Sequence, residues 1–169
     1  MAQSDYRIKA VFFDLDGVIV DSMPYHFIAW NESLRPFGLR LSCFEVYRRE
    51  GEFWGKTIRE LLRKAGIKPS QRLLEKVFKK RSRIFKRIFK RYIFPEAENL
   101  LKELREKGVI LGLVTGTPRR ELDRILPKRV LKFFKVIVPG DEVVKGKPDP
   151  EPYLKASALT GISPRDCLV

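Results

Sequence analysis

Two aspartates lie one residue apart, directly after an apolar run near the start of the sequence. The stretch "VFFDLDGVIVDS" places Asp14 and Asp16 at the end of this run. Two close carboxylates concentrate negative charge, which a hard cation such as Mg²⁺ relieves. A carboxylate can also attack phosphorus and form an aspartyl-phosphate while its neighbour moves a proton. For this pair alone, a solvated turn is an equally good interpretation.

Two further groups follow later apolar runs. Thr115, Gly116 and Thr117 come after "VILGLV", and Lys147 lies in "KGKPDP" after "FFKVIV". A hydroxyl and backbone amides at a strand-to-helix junction suit a phosphate, and an ammonium offsets charge on a transferring phosphoryl group. Taken singly, Thr117 could be a helix N-cap and Lys147 a solvated loop residue. Together with Asp14, they predict a phosphate-handling site.

The elements that position these groups alternate in type. "KAVFFDL", "VILGLVTG", "FFKVIV" and "CLV" read as buried strands with helices between them, which predicts an α/β fold with a Rossmann-like parallel sheet. A helical block interrupts this order after the first strand. We therefore predict an α/β core domain of residues 1–17 and 95–169 and an inserted all-helical cap domain of residues 18–94. The insertion follows the sheet edge where open α/β sheets bind ligands.

The last part of the predicted cap is one long amphipathic helix. Its apolar stripe comprises Leu74, Val77, Phe78, Ile84, Phe85, Ile88, Phe89 and Tyr92. Its basic residues are Lys76, Lys79, Lys80, Arg81, Arg83, Lys86, Arg87, Lys90 and Arg91, opposed mainly by Glu75. Three interpretations are open: a solvated face, steering of phosphorylated substrates, or contact with nucleic acid. The sequence favours the solvated face over a nucleic-acid partner, because no recognised nucleic-acid-binding fold accompanies the helix.

Composition narrows the class of protein. The chain has 169 residues and a formal net charge of +14, and many charges with few side-chain amides are typical of thermophile proteins. Cys43 and Cys167 lack metal-site or disulfide spacing, and we expect both to be small core residues. The start of the sequence is polar and no apolar run is long enough for a bilayer. We therefore expect a cytoplasmic protein with no membrane partner.

The order of "DLDGVIVDS", "LVTGT" and "KGKPDP", with a helical insertion after the first, resembles the haloacid dehalogenase superfamily. The resemblance is greatest to its phosphatase and beta-phosphoglucomutase-like branch. It implies that Asp14 is the nucleophile and Asp16 the general acid and base. It also implies that the Asp14 carboxylate and the Asp16 backbone carbonyl bind Mg²⁺, that Thr115 binds phosphate and that Lys147 stabilises charge.

The same resemblance bears on the substrate. The branch has a His and a Trp like His26 and Trp30, and there the His helps to govern proton transfer; the alternative for His26 is helix packing. Lys56 could face the crevice and select an anionic substrate. Mutase members carry a Lys-Asn pair where this sequence has Pro118 and Arg119, which favours a hydrolase over a mutase.

We thus expect an Mg²⁺-dependent phosphatase that acts on a small phosphorylated metabolite through an aspartyl-phosphate. The alternatives are a phosphosugar mutase of the beta-phosphoglucomutase type, or a non-catalytic protein that binds an anion or nucleic acid. The superfamily also carries acidic metal ligands just past the strand that "CLV" begins, where this sequence ends. From that we expect a fragment with weak Mg²⁺ binding, reduced stability and a tendency to self-associate.

Overall fold

The computed structural model describes residues 8–169, which form two compact units. The helical unit is Asp21–Tyr92. The α/β unit comprises residues 8–20 together with Ile93–Val169. Among the described residues, no helix is both long and apolar enough to cross a bilayer.

Four helices build the helical unit: α1 (Met23–Leu34), α2 (Cys43–Tyr47), α3 (Trp54–Lys64) and α4 (Gln71–Ile88). Helix α4 packs against α1 and α3. Their apolar faces meet in a core that contains Leu34, Ile58, Leu62, Leu74 and Val77. These residues recur at helical spacing, so their burial holds α1, α3 and α4 together, and Val46 joins α2 to the same core.

The long helix is shorter than predicted. Helix α4 ends at Ile88, because Phe89 adopts an extended backbone with ψ of 125°. The Phe89 ring still stacks on Phe85, with ring centroids 5.0 Å apart. Beyond it, the Tyr92 carbonyl accepts a hydrogen bond from the Asp21 backbone N–H at 2.9 Å. The prediction that Phe89 and Tyr92 continue the helix was therefore wrong, since this stretch returns beside the start of the insertion as extended chain.

Helix α2 was not predicted. Its first turn carries a capping box, in which the Ser42 hydroxyl accepts from the Glu45 N–H and the Glu45 carboxylate accepts from the Ser42 N–H. The expectation that both cysteines lie in the core was also wrong. Cys43 is exposed at the start of α2, and Cys167 is only half-buried.

A four-stranded parallel sheet forms the centre of the α/β unit, which confirms the predicted fold class. The strands are β1 (Ala10–Phe13), β2 (Ile110–Val114), β3 (Val136–Val138) and β4 (Cys167–Leu168), in the order β3-β2-β1-β4. Ala10 pairs with both Ile110 and Cys167, and Gly112 pairs with Val136. The strands are almost wholly apolar, as parallel strands covered on both faces require.

Four more helices belong to this unit: α5 (Pro95–Glu106), α6 (Arg119–Ile125), α7 (Lys128–Leu131) and α8 (Glu151–Thr160). Helix α5 begins with proline, which lacks the N–H that a first turn leaves unsatisfied. Helix α8 packs on β2 and β3, and its Ala156 is buried in one core with Val114 and Val138. This packing fixes the ends of the strands. The loops that carry the predicted site residues start at those ends.

Two segments of the α/β unit connect it to the helical insertion, and they lie side by side. Val20 and Ile93 form an antiparallel bridge, and the Phe94 N–H donates to the Ile19 carbonyl at 3.0 Å. The chain thus leaves the α/β unit and re-enters it at neighbouring points.

Candidate active site

Asp14 lies immediately after β1 and contacts Lys147, which the sequence places far downstream. The Lys147 Nζ is 3.0 Å from Asp14 Oδ1 and also donates to the Val114 carbonyl, at the end of β2, at 2.9 Å. Asp14 Oδ1 accepts a second hydrogen bond, from the Leu15 N–H at 2.7 Å. The side chains of Lys147 and Asp14 are 14% and 28% exposed, so the pair is shielded but reachable.

The protonation of Asp14 is set by two opposing effects. Burial raises the pKa of this carboxyl above its ordinary value, because desolvation penalises the carboxylate. The Lys147 ammonium acts in the opposite direction and only partly offsets burial. The site therefore favours additional positive charge beside Asp14.

Asp16 is held by the loop that follows β2. It is 7% exposed, and its Oδ2 accepts a hydrogen bond from the Thr117 hydroxyl at 3.2 Å. The Thr115 hydroxyl in turn accepts from the Thr117 N–H at 3.0 Å. Both threonines are buried, whereas Gly116 between them is exposed. Thr117 is not a helix N-cap, since Pro118 occupies that position of α6.

Two glycines allow this arrangement. Gly17 has a φ of 75°, a left-handed conformation that favours glycine, and its N–H donates to the Val20 carbonyl at 2.8 Å. Gly140 lies against the backbone of Gly116, and a Cβ at this position would overlap the Gly116 carbonyl. The Gly140 N–H also donates to the Thr117 carbonyl at 3.2 Å. The loop from β2 is thus fixed from its other side by backbone contact.

His26 and Lys56, the other predicted site residues, lie in the helical unit. The His26 ring is 4% exposed and stacks on Phe85 at a centroid distance of 4.5 Å. Arg81 donates to its Nδ1, which accepts because a guanidinium offers only donors. The Arg81 guanidinium also lies 5.3 Å from the Trp30 ring centroid. Lys56 is exposed on α3.

Arg81 is the residue whose importance the sequence did not indicate. It was one of many basic residues in the long helix, yet it is partly buried and bonds His26 across 55 positions of sequence. A guanidinium on Nδ1 fixes the tautomer of a neutral imidazole, so the ring proton is on Nε2. The spacing of residues along the chain could not have predicted the contact between Arg81 and His26.

Asp14 and Asp16 are acidic residues that could bind a metal ion. Their oxygen atoms are the hard donors that Mg²⁺ prefers. The residues of this unit therefore fit a hard divalent cation.

The haloacid dehalogenase-like hydrolase family matches residues 8–169. The chain belongs to this family. The match includes both aspartates, the threonine loop and Lys147, and it confirms the resemblance carried by these motifs.

Two relatives and one solved structure show the range of similar enzymes. A phosphorylated carbohydrates phosphatase of Thermotoga maritima is 32% identical, over 96% of this chain and 75% of the relative. A beta-phosphoglucomutase of Bacillus subtilis is 29% identical, over 95% of this chain and 73% of the relative. A hydrolase from Pseudomonas syringae has a TM-score of 0.82 at 26% identity, covering 94% of this chain and 74% of its own. The predicted class, a haloacid dehalogenase-like phosphoric monoester hydrolase, is confirmed.

Proposed function

We propose that this haloacid dehalogenase-like hydrolase is an Mg²⁺-dependent phosphatase that acts on a small phosphorylated metabolite through an aspartyl-phosphate at Asp14. The observation that carries the proposal is the contact of 3.0 Å between Asp14 and Lys147 at the end of β1. A nucleophilic carboxylate beside a fixed ammonium suits an incoming phosphoryl group, because the ammonium offsets its negative charge. We further propose that the protein is cytoplasmic and that the helical unit serves as its cap domain.

The reaction follows from the roles of two carboxylates. An Asp14 oxygen attacks phosphorus, the P–O bond to the substrate alcohol breaks, and the Asp16 carboxylic acid gives its proton to the departing oxygen. Asp16, now a carboxylate, then takes a proton from water as the water oxygen attacks the phosphorus of the aspartyl-phosphate. The acyl phosphate bond breaks and the Asp14 carboxylate returns with inorganic phosphate released.

Thr115, Gly116 and Lys147 would hold the phosphoryl oxygens. Gly116 exposes its backbone next to the Thr115 hydroxyl, and the Lys147 ammonium lies at the same edge of the sheet. The Asp14 carboxylate and the Asp16 backbone carbonyl would hold Mg²⁺. When bound, this ion supplies charge neutralisation at the phosphate and the carboxylate.

Arg119 supports hydrolysis over phosphate migration between two sugar positions. Its Nε bonds the Glu142 carboxylate, its Nη2 donates to the Ile137 carbonyl at 2.9 Å, and its N–H donates to the Asp141 carboxylate at 2.9 Å. A mutase must hold a second phosphate, and an arginine already engaged by a carboxylate and a carbonyl is poorly placed to do so.

The residues of the helical unit would select the substrate. His26 keeps a proton on Nε2 because Arg81 occupies Nδ1, so the ring can donate a hydrogen bond to a substrate oxygen. Lys56 offers an exposed ammonium for an anionic group. Both roles are part of the proposal.

The decisive experiment replaces Asp14. The full chain is assayed with p-nitrophenyl phosphate and Mg²⁺, and Asp14→Asn should abolish hydrolysis. Asp123→Asn, the same chemical change at an exposed residue of α6, should retain it. Intact-mass spectrometry of the rapidly quenched wild type should show one added phosphoryl group, and EDTA should stop turnover until Mg²⁺ is restored. Hydrolysis by the Asp14→Asn variant would refute the mechanism.

A further inference from the structure

Almost all of the excess positive charge belongs to the helical unit. Residues 21–92 contain 19 Lys and Arg against 7 Asp and Glu, a formal net charge of +12. The rest of the chain contains 16 Lys and Arg against 14 Asp and Glu, a net charge of +2. Charge that serves only solubility does not need to be concentrated in one unit. The uneven distribution therefore points to a role of the positive charge on the helical unit itself.

Within the helical unit the charge is ordered along one face of α4. The basic stripe consists of Arg72, Lys76, Lys79, Arg83 and Lys86, all exposed. Their spacings of four, three, four and three residues keep them on one side of the helix. At 1.5 Å rise per residue, the stripe is about 21 Å long.

Most of the basic stripe has no acidic counterpart among the described residues. Glu75 is the one acidic residue of α4, and its carboxylate accepts from Gln71. Among residues 8–169, no carboxylate forms an ion pair with Arg72, Lys76 or Lys79. Like charges three and four residues apart destabilise a helix, so the stripe opposes folding unless an anion binds it.

The burial of the opposite, apolar face of α4 restricts the kind of anion that could bind the basic stripe. Leu74, Val77 and Phe85 are nearly fully buried, in a helix that packs against α1 and α3. Helices that lie on membranes insert an apolar face between lipids. The apolar face of α4 is buried inside the helical unit and is therefore not available for a membrane. A small phosphorylated metabolite is far shorter than the stripe, whereas a polymer with regularly repeated phosphates matches its length and charge.

We propose that the basic stripe docks on the phosphodiester backbone of a nucleic acid without reading its sequence. The sequence alone favoured a solvated face. The order and exposure of the stripe, and the absence of ion pairs at Arg72, Lys76 and Lys79 within residues 8–169, favour contact with nucleic acid instead. A line of side-chain cations neutralises backbone phosphates and releases their counterions, and this gives affinity without base recognition. The proposal is independent of the phosphatase reaction, since the stripe includes none of the residues to which that reaction assigns a role.

The test measures how salt affects binding of the full chain to a fluorescent mixed-sequence DNA duplex. If the five residues of the stripe neutralise about five phosphates, the logarithmic slope of affinity against salt is about −4.5, so affinity falls about 500-fold between roughly 50 and 200 mM salt. The stripe variant carries Arg72→Gln, Lys76→Gln, Lys79→Gln and Arg83→Gln. The matched control makes the same charge change on exposed residues of the α/β unit, with Lys102→Gln, Lys128→Gln, Lys132→Gln and Lys135→Gln.

The stripe variant should bind weakly with a slope near −1, while the control should retain most of the wild-type slope. Circular dichroism and unchanged p-nitrophenyl phosphate hydrolysis verify that both variants fold. Equal losses in the two variants would show that only net charge matters and would overturn the proposal. Absence of duplex binding would also overturn it, as would equal or stronger stripe-dependent binding to anionic vesicles or inorganic polyphosphate.

Discussion

The hydroxyl of Thr117 offers a sharp test of how Asp16 is positioned. Thr117→Val keeps the shape of the side chain but removes the donor that lies 3.2 Å from Asp16 Oδ2. Both residues are less than 10% exposed, so water replaces the lost hydrogen bond poorly. Leaving a buried acceptor without its donor costs about 1–3 kcal/mol, and we expect the free energy of unfolding to fall by this amount.

The effect on catalysis separates two roles for this residue. If the hydroxyl orients Asp16, the valine variant should lower kcat by about 100-fold, the usual scale for a misplaced catalytic group, and leave KM unchanged. If the hydroxyl instead binds the substrate phosphate, KM should rise. Thr117→Ser keeps the donor and should restore most of kcat, while urea titration of each variant measures stability. Wild-type kcat in Thr117→Val would refute the positioning role.

Three further changes test the fold and its electrostatics. Leu62→Ala opens a cavity in the core of the helical unit and should lower the free energy of unfolding by about 2–5 kcal/mol in urea titrations, and a loss under about 1 kcal/mol would contradict that packing. Gly140→Ala should displace the Gly116 backbone and lower phosphatase activity more than stability. Wild-type kinetics in this variant would show that the loop after β2 can move without loss of activity. Hydrogen bonding from Arg49 lowers the pKa of Glu60, so their pairing stabilises the fold above the unfolded pKa of about 4.3 and is lost as pH falls through the folded value. Glu60→Gln should therefore flatten the stability profile on the acid side, and an unchanged profile between about pH 3 and 6 would refute this.

Much of the α/β unit was predictable because its strands are continuous apolar runs. Parallel strands deliver their following residues to one edge of the sheet, and the contact of Asp14 with Lys147 is the geometric result. The family match covers all three of these motifs. Helix α2 could also have been predicted, since Ser42 and Glu45 have capping-box spacing.

Other contacts carry no signal in the sequence. The hydroxyl of Thr117 reaches Asp16 across 101 positions, and Arg81 reaches His26 across 55. Both depend on tertiary packing that periodicity does not encode. The end of α4 was missed for a related reason, because apolar spacing continues to Tyr92 while hydrogen bonding to Asp21 requires extended chain there.

The insertion between β1 and β2 also orders the events of synthesis. Ala10 pairs with Ile110, whereas the helical unit is one continuous stretch from Asp21 to Tyr92. A chain growing on the ribosome therefore completes the helical unit before the partner of β1 exists, and proteins generally fold unit by unit in this way. The apolar β1 stays unpaired until β2 has been synthesised, and during that time it is exposed to chaperones and to association with other nascent chains. Early folding of the helical unit then brings Tyr92 beside Asp21. The effective loop that β2 must close is thereby shortened from residues 14–109 to residues 14–20 and 93–109.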